Sequence, residues 1–140
     1  MTIIAQYLWL IGALIFFILG GIHLTYTFFT NMFSSRNQNV IVEMKSSYPI
    51  LTKRTTIWKA WIGFNASHSM GVLFFGIINL YIAFKYFDVL QSDHFFFLLN
   101  ILIAGFYVWL GKKYWFNVPF IGAFITLICY LLSYSIIFTA

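Results

Sequence analysis

Charge is what this sequence lacks most. Of its 140 residues 8% are charged and three are acidic, whereas a water-soluble domain carries about 25% charged residues. That balance excludes an ordinary soluble domain and points to an integral membrane protein. The three carboxylates, Glu43, Asp88 and Asp93, fall in connections or at a helix edge, which argues against an intramembrane aspartyl protease and against a carboxylate-based proton pump. The single cysteine, Cys129, has no partner for an internal disulfide. No H-E-x-x-H, C-x-x-C, phosphate-binding glycine loop or nucleophile elbow occurs. Ser67 and Ser69 flank His68, but adjacent positions diverge on a helix, so they are no ready nucleophile–base pair. The residues lean away from an enzyme.

What remains is 62% hydrophobic and 23% aromatic. Four long apolar runs, about 3–30, 57–84, 94–111 and 118–139, predict an all-α bundle of four transmembrane helices in one domain. The first run has no basic flank ahead of it, unlike a signal peptide, and is expected to be retained. Residues 31–56 form a basic loop, with Val40-Ile41-Val42 resting at the membrane interface and Thr55 or Thr56 capping the second helix. Arg36, Lys45, Lys53, Arg54, Lys59, Lys112 and Lys113 fall on one side of the membrane and Lys85 alone on the other. By the positive-inside rule the 31–56 loop is cytoplasmic and both termini are not. The net charge of +5 is explained by this topology, so no nucleic-acid partner is implied.

The second run holds the unusual chemistry. No Asp, Glu, Lys or Arg occurs between Lys59 and Lys85, yet Asn65, His68 and Asn79 do. At about 100° per residue these three lie within about 60° of one another, beside Trp61 and Val72. Gly63, Ser67 and Gly71, with Ala60, mark the opposite side as a helix-packing face. On the first helix, Gly12, Phe16, Leu19, His23, Thr27 and Thr30 share a face. Asn100, Ala104, Tyr107 and Gly111 do so on the third, and Gly122, Thr126, Cys129 and Ser133 on the fourth.

At about 1.5 Å per residue, His23, Asn65 and Thr126 lie about 12–14 Å from the cytoplasmic ends, and His68, Asn100 and Cys129 about 16–18 Å. His23, Asn65, His68, Asn100 and Cys129 are therefore the candidate ligand- or cofactor-binding residues. Two imidazoles, His23 and His68, could hold a haem or a metal, with Cys129 as a soft ligand suited to copper. The same groups could orient a lipid, a quinone or another hydrophobic ligand. Structural hydrogen bonding between helices, worth about 0.6–2 kcal/mol, is the plainer role for such side chains.

Gly20-Gly21-Ile22-His23 followed by Trp61-Ile62-Gly63-Phe64-Asn65-Ala66-Ser67-His68 resembles small bacterial four-helix membrane proteins, broadly DoxX-like. The resemblance implies a multi-pass protein of the bacterial inner membrane and carries over no activity. The function expected is that of a non-enzymatic accessory or assembly subunit, with the bilayer and a membrane-protein partner or a second copy as its surroundings. The alternative is a haem-, metal- or lipophilic-ligand-binding protein using His23 and His68.

Overall fold

The computed structural model describes residues 2–138, and among them helices are present and strands are not. The elements are α1 (Thr2–Phe29), α2 (Gln38–Ser46), α3 (Ile57–Lys85), α4 (Phe87–Leu90), α5 (His94–Tyr114) and α6 (Asn117–Phe138). Helices α1, α3, α5 and α6 have 28, 29, 21 and 22 residues and are apolar enough to cross a membrane. At 1.5 Å per residue, α5 and α6 measure about 32 and 33 Å, close to a hydrocarbon core of about 30 Å. Helices α1 and α3, at about 42 and 44 Å, exceed it by two turns or more. Large apolar side chains such as Phe29, Phe74, Phe84 and Phe95 stand exposed on the outside, as lipid-facing groups do. These four helices describe a multi-pass membrane protein.

Local chemistry sets the helix ends. The Thr56 hydroxyl accepts from the Lys59 amide at 3.3 Å and caps α3. The Asp93 carboxylate accepts from the Phe96 amide at 3.0 Å and caps α5. Helix α5 runs three residues beyond the expected end, because Lys112 and Lys113 lie inside its last turn, where cations offset the helix dipole. Pro119 falls in the first turn of α6, where its missing amide hydrogen costs nothing.

The expected loop 31–56 holds a helix, α2, which includes Val40-Ile41-Val42. The Asn37 side chain accepts from the Asn39 amide at 3.0 Å and starts α2, and extended Ser47 ends it two residues before Pro49. No residue of α2 is buried.

The chain divides into two compact units, one of residues 20–71 and one made by residues up to 19 together with those from 72 onward. Helices α1 and α3 contribute to both. In the larger unit the Trp9 ring stacks on Tyr130 at 4.2 Å and meets Phe97 edge-on at 4.3 Å. Its polar side chains tie helix to helix. Trp9 Nε1 donates to Asn79 Oδ1 at 3.2 Å and Gln6 to the Ala83 carbonyl at 2.8 Å. Thr126 donates to the Gly12 carbonyl at 3.1 Å and Ser133 to the Ala5 carbonyl at 2.8 Å. Such bonds replace the hydrophobic drive that lipid does not supply between helices.

The buried positions of α3 run Asn65, Ser69, Val72, Gly76, Asn79 and Ala83, a stripe at three- and four-residue spacing. Gly63, Ser67 and Gly71 lie off that stripe and are exposed. A Cβ on Gly63 or Gly71 would meet nothing within 4 Å, and Ser67 donates to the Phe64 carbonyl of its own helix. The expected helix-packing face is therefore exposed among the described residues. The close approach is at Gly76 instead, where a Cβ would sit 2.5 Å from the Phe17 nitrogen.

Candidate functional site

Residues 20–71 bring His23, Asn65 and His68 together. Threonines shape the end of α1 around the first of them: Thr25 donates to the Gly21 carbonyl, Thr27 to the His23 carbonyl and Thr30 to the Tyr26 carbonyl. This back-bonding commonly bends a helix. His23 Nε2 lies 3.1 Å from Asn65 Oδ1. The His23 and His68 rings meet edge-on, with centroids 5.4 Å apart. Phe64 stacks on the other imidazole, His68, at 6.3 Å.

A closed circuit of contacts fixes this geometry. Asn65 Nδ2 donates to the Trp61 carbonyl at 2.9 Å. Trp61 Nε1 donates to the Phe33 carbonyl at 3.1 Å. The Phe33 ring in turn stacks on His23, centroids 4.4 Å apart. The circuit therefore runs from His23 through Asn65, Trp61 and Phe33 back to His23.

The circuit also assigns a proton. Only the amide nitrogen of Asn65 can donate to the Trp61 carbonyl, so the oxygen is the atom that faces His23. That oxygen can only accept. His23 Nε2 must then carry a hydrogen, and in the neutral ring the lone pair is on Nδ1. Asn65 is thus an orienting group for His23. Any ligand that needs a basic imidazole nitrogen from His23 must take Nδ1.

The serines beside His68 are committed to their own helix. Ser69 donates to the Asn65 carbonyl and Ser67 to the Phe64 carbonyl, so neither hydroxyl is offered to His68 as a nucleophile.

Asn100 and Cys129 belong to the larger unit. Both are buried. Asn100 Nδ2 donates to the Phe96 carbonyl at 2.8 Å, one turn back, while its Oδ1 is buried without a partner among the described residues, as is the Tyr130 hydroxyl. Cys129 is a free thiol. Among the described residues no three His, Cys, Asp or Glu side chains form a group able to hold a metal ion. Cys129 is carried by the larger unit, and His23 and His68 by residues 20–71.

Phe33 is the participant that the sequence reading missed. It lies in the connection after α1 and belongs to no periodic stripe, so nothing in its sequence position marks it. Trp61 was placed on the polar face of α3 by helical spacing, and its link to Phe33 emerges only in three dimensions.

No protein-family model, no curated protein and no solved structure matches the chain. The site must be interpreted from its own geometry.

Proposed function

We propose that this chain is a non-enzymatic membrane protein that holds a lipophilic ligand against His23, Asn65 and His68. The observation that carries the reading is the convergence of two imidazoles, with one of them oriented by an amide that is itself anchored. Ligand sites in membrane bundles combine apolar walls with a few fixed polar groups. Phe33 and Phe64 supply the walls here, and the imidazoles supply the polar groups. A bacterial inner-membrane setting, a broad kinship with DoxX-like proteins and a cytoplasmic 31–56 segment complete the proposal.

The test is native mass spectrometry of protein purified in mild detergent, with an absorption spectrum and metal analysis of the same sample. The reading predicts a co-purifying apolar adduct that is lost in His68→Leu and in Asn65→Leu, both of which keep their helix content. An adduct retained in both variants refutes it. A haem band or near-stoichiometric metal, lost in His23→Ala, would transfer the protein to the redox or metal class.

One observation favours a second reading, an accessory or assembly subunit of a larger membrane complex. The face of Gly63, Ser67 and Gly71 is small and exposed, with open space where a Cβ would stand on either glycine. Small residues let a foreign helix approach closely. A partner that co-purifies with the wild type and is lost in Gly63→Leu/Gly71→Leu would support it. A protein that stays monomeric and alone in mild detergent would count against it.

A further inference from the structure

The segment that joins α1 to α3 contains a recess that the His23 cluster does not use. It has a volume of about 350 Å3 and is lined by Ser34, Ser35, Arg36, Gln38 and Lys45, with Trp58 as one wall. A second recess, of about 290 Å3, is lined by Thr27, Phe28, Phe33, Trp58 and Ile62. The two share Asn31, Ser34 and Trp58, so they adjoin. One is polar and cationic, and the other mixes the apolar side chains of Phe28, Phe33, Trp58 and Ile62 with uncharged polar ones. Each approaches or reaches the size of a small-molecule site.

Charge in this unit is one-sided. Between residues 20 and 71 the basic residues are Arg36, Lys45, Lys53, Arg54 and Lys59, and the one acid is Glu43. Glu43 is not among the groups lining the recess. Lys45 is held beside it, with its ammonium 5.4 Å from the centre of the Trp58 ring. A guanidinium, an ammonium and hydroxyl and amide donors facing one cavity suit a phosphate. The adjoining recess carries no charge, and its Phe28, Phe33 and Ile62 side chains suit the chain attached to the phosphate.

We infer that these paired recesses bind a phospholipid with an anionic headgroup, its phosphate at Arg36 and Lys45 and the start of its acyl region at Phe28, Phe33 and Ile62. Basic pockets at the membrane surface recognise anionic lipid in this way. The site shares the Phe33 ring with the His23 cluster but uses neither imidazole, so it does not depend on that reading.

The test uses the full chain in nanodiscs of phosphatidylcholine with a minority of phosphatidylglycerol. Native mass spectrometry counts the phosphatidylglycerol retained per chain. The wild type retains one preferentially, and Arg36→Gln/Lys45→Gln lowers that retention about 30-fold, as expected for two cations near the surface. Both side chains are exposed, so the substitution leaves the buried core untouched. Lys112→Gln/Lys113→Gln makes the same change in net charge and leaves retention intact. Equal retention in Arg36→Gln/Lys45→Gln and wild type overturns the site. Equal loss in the Lys112→Gln/Lys113→Gln variant reduces it to bulk charge and overturns it too. Inorganic phosphate binding alone, with the same dependence on Arg36 and Lys45, would assign a soluble anion and overturn the lipid.

Discussion

Gly76 and the pair Gly63 and Gly71 lie on one helix, and the structure assigns them opposite responses to the same mutation. In Gly76→Ala the new methyl group would stand 2.5 Å from the Phe17 nitrogen, 2.7 Å from its Cα and 3.0 Å from its Cβ. These are largely backbone atoms of α1, which cannot swing aside as a side-chain tip can. Either α1 and α3 separate locally or the methyl group stays compressed. Overpacking of this kind costs about 1–3 kcal/mol, and the close backbone contact puts Gly76→Ala near the upper end. Alanine returns about 1 kcal/mol of helix propensity, leaving a net loss of about 2 kcal/mol. Gly63→Ala and Gly71→Ala keep the propensity gain and meet nothing within 4 Å, so they are neutral or stabilising by up to about 1 kcal/mol. Reversible unfolding in mixed micelles, followed by circular dichroism, measures all three. A Gly76→Ala variant as stable as the wild type would refute the packing account. A loss above about 1 kcal/mol in Gly63→Ala would show that this face is covered.

Tyr130→Phe is expected to leave stability unchanged or raise it by about 1 kcal/mol in the same assay, because it removes a buried hydroxyl with no partner among the described residues while keeping the ring on Trp9. A loss above 1 kcal/mol would mean that the hydroxyl is satisfied. Trp61→Phe deletes the bond to the Phe33 carbonyl and should speed hydrogen exchange in residues 31–37 severalfold without changing α5 or α6; unchanged exchange there would break the proposed circuit. A cysteine at Asn39, introduced in a Cys129→Ser background, should react with a membrane-impermeant maleimide from the cytoplasmic side alone, and labelling of intact cells from outside would reverse the proposed orientation.

Much of this architecture is legible in the sequence because lipid imposes it. Four apolar runs of sufficient length form helices in an apolar solvent, since every backbone polar group is then satisfied within its own segment. The polar side chains also declare themselves. Asn65, Asn79, Asn100, Thr126 and Ser133 lie on the faces that helical spacing assigns them, and all are buried.

Hydropathy fails where both faces of a helix are apolar. Nothing in composition says whether Gly63, Ser67 and Gly71 or Gly76 meets a neighbouring helix, because small residues suit either a partner protein or the chain itself. Gly76 could have been found by extending the Asn65, Val72 and Asn79 stripe, which passes through it. Helix α2 was missed because nine exposed residues carry little periodic signal, although Asn37 offered a cap. Phe33 was invisible for a different reason. Its role depends on a contact made across the loop, and no local pattern encodes that.

The account turns on His23 being oriented by Asn65, so that its Nε2 is committed and its Nδ1 is left for a ligand. Nitrogen-15 solid-state NMR of histidine-labelled protein in lipid, with His23 assigned by comparison with His23→Ala, tests this most directly. The predicted spectrum shows neutral His23 with its hydrogen on Nε2, and a shift of that signal in Asn65→Leu. A neutral His23 with its hydrogen on Nδ1, or a signal indifferent to Asn65→Leu, would contradict the circuit and the proposed site with it.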